Sequence, residues 1–165
     1  RSWFSGDVSR SKQAYIQDPE TWLSFETVFK ESLKTYYHPL KFSFADRLLK
    51  TATACGFITI LSAMAESLLL QTVKQFNESF QLIKGGSVHK KEDICFMVEE
   101  LECSKNLTWF ITDTAGDIFS GKNAGVNTIG VGWGFHNQST IKKNRPDYYF
   151  QRPQELIDFL KQTSL

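Results

Sequence analysis

The chain has 165 residues, 41% hydrophobic and 22% charged, which suits one folded domain of ordinary size with a buried core. Nineteen Lys and Arg against eighteen Asp and Glu leave a formal net charge of +1, so no basic footprint points to nucleic acid or an anionic membrane. The most apolar stretch, 57–70, is interrupted by Thr59, Ser62, Glu66 and Ser67, which argues against a membrane span.

Cys55, Cys95 and Cys103 show no metal-ligand spacing. They read as free thiols of a reducing compartment, so a cytoplasmic location is expected. Glycosylation sequons at Asn77, Asn106 and Asn137 are taken as chance occurrences. Residues 1–17 are polar and poorly patterned. Asp18-Pro19-Glu20 predicts a helix start, with an N-cap acid followed by Pro where its missing N–H does no harm. Trp22, Phe25, Phe29 and Leu33 continue as one helical stripe, and His38-Pro39 ends it. A second helix is predicted over Ala45–Thr53, stopping at Cys55-Gly56.

The rhythm then changes. Strands are predicted at Phe57–Leu61, Phe80–Ile83, Leu107–Thr112, Asn127–Val131 and Tyr148–Phe150. Helices are predicted at Glu66–Phe76, Lys90–Leu101, Asp117–Ala124 and Pro153–Lys161, with Ile94, Met97, Val98, Leu101, Leu156, Ile157 and Leu160 facing inward. This alternation indicates an α/β fold with a Rossmann-like three-layer core and a mostly parallel sheet.

In such sheets the active crevice lies beyond the carboxyl ends of the strands. Ser62 follows the first of them, where a hydroxyl and helical N–H groups suit a phosphate; the competing reading is a plain N-cap. Lys90 and Lys91 open a helix, although a cation opposes the dipole there. A bound anion would remove that objection, and a solvated loop lysine is the alternative. Asp113 and Asp117 follow a buried strand. Two acids there suit Mg²⁺, which takes a few carboxylates plus phosphate and water; the alternative is that one caps a turn and the other caps the helix. Trp133, Phe135 and His136 follow the next strand and are candidates to line a substrate mouth, with a structural role the competing reading for His136.

The order Ser62, Lys90, Asp113-x-x-x-Asp117, with AGVNTIGVGWGFH behind it, resembles the haloacid dehalogenase (HAD) superfamily, most closely its phosphoglycolate-phosphatase-like phosphohydrolases. The resemblance covers roughly residues 40–165 and includes the ending NRPDYYFQRPQELIDFL. It implies a HAD-like hydrolase acting on a small phosphorylated metabolite with Mg²⁺ as cofactor. Ser62 matches the hydroxyl that hydrogen-bonds the transferring phosphoryl group. Lys90, with Lys91 as fallback, matches the cation that offsets charge, and Asp113 and Asp117 match the metal-binding acids. Thr112 departs from the family's usual Gly and is expected to crowd the loop.

The family's first motif, a strand ending in Asp-x-Asp that supplies the covalent nucleophile, is absent before Ser62. Asp7 is the nearest candidate, with Ser9 where the second acid belongs. The chain is therefore expected to be an inactive fragment, with 1–40 a helical cap remnant and 41–165 a core lacking its central strand. A non-catalytic HAD-like phosphate- or protein-binding module is the alternative. The strands at 57–61 and 107–112 are expected either to pair directly or to flank a gap.

Overall fold

The structure is a computed structural model that describes residues 19–36 and 41–163. The readings of Asp7, Asp18 and His38-Pro39 lie outside the described residues. Helix α1 spans Pro19–Tyr36 and begins on the proline, whose fixed φ is already helical. Helix α2 spans Ala45–Cys55. Then follow β1 (Thr59–Leu61), α3 (Glu66–Val73), β2 (Leu82–Lys84) and α4 (Lys90–Glu100). After a 3₁₀ turn at Lys105–Leu107 come β3 (Trp109–Thr112), α5 (Ala115–Ala124), β4 (Asn127–Val131), α6 (Gln138–Lys143), β5 (Tyr148–Phe150) and α7 (Pro153–Thr163).

Among the described residues every strand pair is parallel. β1 lies beside β2, with Ile60 opposite Ile83. β3, β4 and β5 form a second sheet in that order, with Ile111 opposite Ile129 and Val131 opposite Phe150. Parallel neighbours need crossovers, and α3, α5 and α6 lie in the connecting segments. Two helical layers cover the larger sheet. On one face Ile129, Val131, Leu156 and Leu160 form a core with Leu48, Ala52, Trp109 and Phe159, so α2 and α7 pack there. On the other, Ile94, Val98, Ala124 and Val126 cluster against Phe110 of β3 and Leu61 of β1. Thus β1 and β3 touch the same helix-built core but are not hydrogen-bonded to each other. The α/β three-layer architecture matches the sequence reading, and of the two arrangements foreseen for β1 and β3 the unpaired one is observed.

Local differences have physical causes. The third strand starts at Trp109 because 105–107 turns as a 3₁₀ helix, leaving Leu107 exposed. Helix α5 starts at Ala115, two residues before the predicted start, because Thr114 is the cap: its side chain accepts the Asp117 N–H. Gly125 closes that helix at φ 81, a left-handed geometry that glycine adopts without steric cost. Helix α6 was not foreseen. It is six residues long and largely polar, so it has no periodic apolar face, and its signal is the Asn137 cap on the Thr140 N–H.

Candidate active site at the carboxyl ends of the strands

In β3 Trp109 and Phe110 are half-buried and Ile111 is exposed, and only the last residue is well covered. Thr112 is buried, and a buried hydroxyl needs partners. It donates to Asp117 Oδ2 at 3.1 Å and accepts the Thr114 N–H at 3.1 Å. The hydroxyl therefore ties the turn together rather than crowding it. Because α5 begins so tightly after β3, Asp117 in its first turn folds back over the strand end. Its Oδ2 also meets Lys90 Nζ at 2.5 Å, with the two side chains only 16% and 13% exposed. At that burial a charge pair interacts more strongly than on the surface. Lys91 is exposed.

Asp113 is held from the loop after β4. Its Oδ2 accepts the Phe135 N–H at 2.7 Å, and its carbonyl accepts the His136 N–H at 3.1 Å. A Cβ at Gly134 would overlap the Asp113 carboxylate, so only glycine allows this approach. His136 Nδ1 accepts the Ala115 N–H at 2.9 Å. Neither acid caps a helix or turn as the competing reading supposed. Trp133 is partly buried, packing against the core and edge-on to Phe44, whereas Phe135 is exposed.

Ser62 sits at the carboxyl end of β1 and does not cap α3, whose cap position is Ala65. Its Oγ accepts the Met64 N–H at 3.1 Å, and its carbonyl accepts the Ser87 N–H at 2.9 Å. The loops after β1 and β2 are thereby clasped together. Ser87, buried, donates to Asp93 Oδ2 at 2.6 Å, and Lys84 contacts Asp93 Oδ1 at 2.7 Å. Burial pushes the Asp93 carboxyl up, but bonds from Lys84 and Ser87 outweigh it and hold the group below the usual range. Asp93 lies one turn beyond Lys90 in α4, so this network fixes the helix start that presents the lysine. Lys90 and Asp117 meet directly, and Asp113 shares their turn. Ser62 stands at the end of a neighbouring strand with no direct bond to them among the described residues.

The donor set suits a hard cation. All its ligand atoms are carboxylate oxygens, and two carboxylates against one ammonium leave one negative charge. Among the described residues no group of three or more His, Cys, Asp and Glu could hold a metal. A cation here would therefore complete its shell with water or substrate oxygen, as Mg²⁺ commonly does. Sequence reasoning missed Thr112 as a binding partner, along with Thr114, Gly134 and the Lys84–Asp93–Ser87 network. The available signals were a hydroxyl flanking each side of Asp113 and a Gly-rich return loop.

Residues 91–156 match the family model described as HAD-hydrolase-like. A curated relative, a putative pyrophosphatase PpaX of Clostridium perfringens, is 27% identical over 129 residues; the match takes in 73% of this chain and 60% of that protein's length. Among solved structures, a haloacid dehalogenase-like hydrolase from Streptococcus pneumoniae superposes with a TM-score of 0.79 at 20% identity, covering 90% of this chain and 74% of that one. A 3-deoxy-D-manno-octulosonate 8-phosphate phosphatase from Moraxella catarrhalis, solved with magnesium, phosphate and its sugar, superposes with a TM-score of 0.55 at 16% identity, covering 70% and 66%. The chain is thus similar in sequence to HAD-hydrolase-like proteins over residues 91–156 and shares the fold of haloacid dehalogenase-like hydrolases.

Proposed function

We propose that this chain carries the metal- and phosphate-binding part of a magnesium-dependent phosphomonoester phosphatase. The observation that carries the reading is the joint of Lys90, Asp117 and Thr112 beside Asp113 at the end of β3. The relative named as a pyrophosphatase and the phosphatase solved with magnesium and phosphate support it.

In this reading Asp113 and Asp117 hold Mg²⁺, which when bound supplies positive charge against the phosphoryl oxygens. The Lys90 ammonium has three donors; one stays on Asp117 and the others face substrate. Ser62 uses its Oγ lone pair for the Met64 N–H, so its O–H donates to a phosphoryl oxygen. Lys91 is the fallback for the phosphate-binding role; it is exposed, whereas Lys90 reaches Asp117. These groups position and neutralise; none is a nucleophile. The sequence contains no Asp-x-Asp, so this chain alone binds but does not turn over. The lack of hydrogen bonds between β1 and β3 supports placing the nucleophile strand between them. The segment 1–40, whose described part is helix α1, is read as part of a cap, the substrate as a small phosphorylated metabolite and the location as cytoplasmic. The missing nucleophile also favours a second reading, a binding module of the same fold without chemistry.

The test is to supply an Asp-x-Asp strand by N-terminal fusion and assay p-nitrophenyl phosphate hydrolysis with Mg²⁺. Turnover that Asp113→Asn lowers at least about a hundredfold is expected, in line with loss of a major charge-stabilising group. Absence of activity, or activity indifferent to that change, overturns the phosphatase reading.

A further inference from the structure

The loop 134–136 grips the turn 113–115 at three points. Phe135 N–H reaches the Asp113 carboxylate, His136 N–H reaches the Asp113 carbonyl, and the Ala115 N–H reaches His136 Nδ1. Ala115 is the first residue of α5, and its N–H is one of those at a helix start with no partner inside the helix. Local side chains serve its neighbours: Thr112 takes the Thr114 N–H, and Thr114 takes the Asp117 N–H. The Ala115 N–H alone is satisfied from outside, by a ring twenty-one positions along the chain. An Nδ1 that accepts leaves the ring proton on Nε2. His136 therefore donates and accepts at once on the same turn, and that turn sets where both acids lie.

Resting on the metal site proposed above, we infer that His136 is a positioning residue that holds the Asp113–Asp117 turn in its cation-binding shape. The residue touches no ligand itself; it acts through the Ala115 amide. Residues that orient metal ligands typically contribute about 10–100-fold to affinity.

The experiment compares His136→Leu, which removes the acceptor, with His136→Asn, whose side-chain oxygen can occupy the place of Nδ1. Mg²⁺ affinity is measured by calorimetry and exchange of the Ala115 amide by NMR, with the Thr128 amide as a control for global unfolding. In the leucine variant Mg²⁺ affinity is expected to fall at least about tenfold and Ala115 to lose protection while Thr128 keeps it. The asparagine variant is expected to recover most of both. Equal Mg²⁺ affinity in all three proteins, or unchanged Ala115 protection in the leucine variant, overturns the inference. A wild-type chain that ignores Mg²⁺ overturns the metal reading instead, and exchange at Ala115 then still decides whether His136 holds the turn.

Discussion

The two sheets of this molecule differ in how completely they are built. In β4 four of five residues are buried, with paired strands on both sides and helices over both faces. In β1 and β2 every residue is only half-buried, and among the described residues each strand has one partner. Both acids and their clasping loop belong to the finished side, while Ser62 stands on the lighter one. A parallel strand gains stability from burial on both faces. The acids are thus held by rigid structure, and the serine depends on loop-to-loop bonds.

Truncation in the two sheets is the strongest way to break that contrast. Ile129 is fully buried in β4, so Ile129→Ala is expected to cost about 3–5 kcal/mol. Ile60→Ala, in half-buried β1, is expected to cost about 1 kcal/mol, scaling with the smaller area it buries. Urea denaturation of both variants checks this, and equal costs would remove the distinction.

Acid sharpens it next. Asp147 is exposed, but its Oδ2 accepts both the N–H and the hydroxyl of Thr128, which is completely buried in β4. Burial pushes this carboxyl up, and the two Thr128 bonds, with Lys122 nearby, outweigh it and bring it below the usual value. Asp93 is depressed in the same way on the other side. A depressed carboxyl contributes stability that is present above its unfolded value and is lost as pH falls through its folded value. Stability should therefore drop below about pH 4. Asp147→Asn should flatten part of that limb and cost about 1 kcal/mol at neutral pH, read by urea melts across pH.

The smallest expected effect is Lys84→Met. Its partner Asp93 is shielded, but Lys84 is 41% exposed. A loss of about 0.5 kcal/mol is expected, seen as a small downward shift of the thermal midpoint that high salt largely erases.

What the sequence made legible follows the same contrast. The bounds Asn127–Val131 and Tyr148–Phe150 agree with the sequence reading, because short apolar or aromatic stretches bounded by turn residues mark strands. Leu156, Ile157 and Leu160 were read as core from helical spacing and are buried. β1 and β2 each start two residues later than the apolar pattern suggests, and β2 runs one residue further, to Lys84; Phe57 is apolar yet lies outside β1 with its side chain in solvent. The sequence leaves open whether β1 and β3 pair, because pairing between distant strands has no local trace, and hydrogen bonding keeps their two sheets apart. At the site, residue types and order pointed to Lys90, Asp113 and Asp117. The return loop did not, because a backbone N–H aimed at a carboxylate has no signature beyond the glycine that permits it. Thr112 was read only by what it replaced, and its hydroxyl found a use that spacing does not reveal.

The most direct test of the central claim, that Asp113 and Asp117 form one cation site at the end of β3, is calorimetric titration of Mg²⁺ into the chain beside its Asp113→Asn and Asp117→Asn variants. The account predicts one saturable site in the native chain and no measurable binding in either variant. Binding that survives both substitutions, or a native chain with no affinity for Mg²⁺, would contradict it.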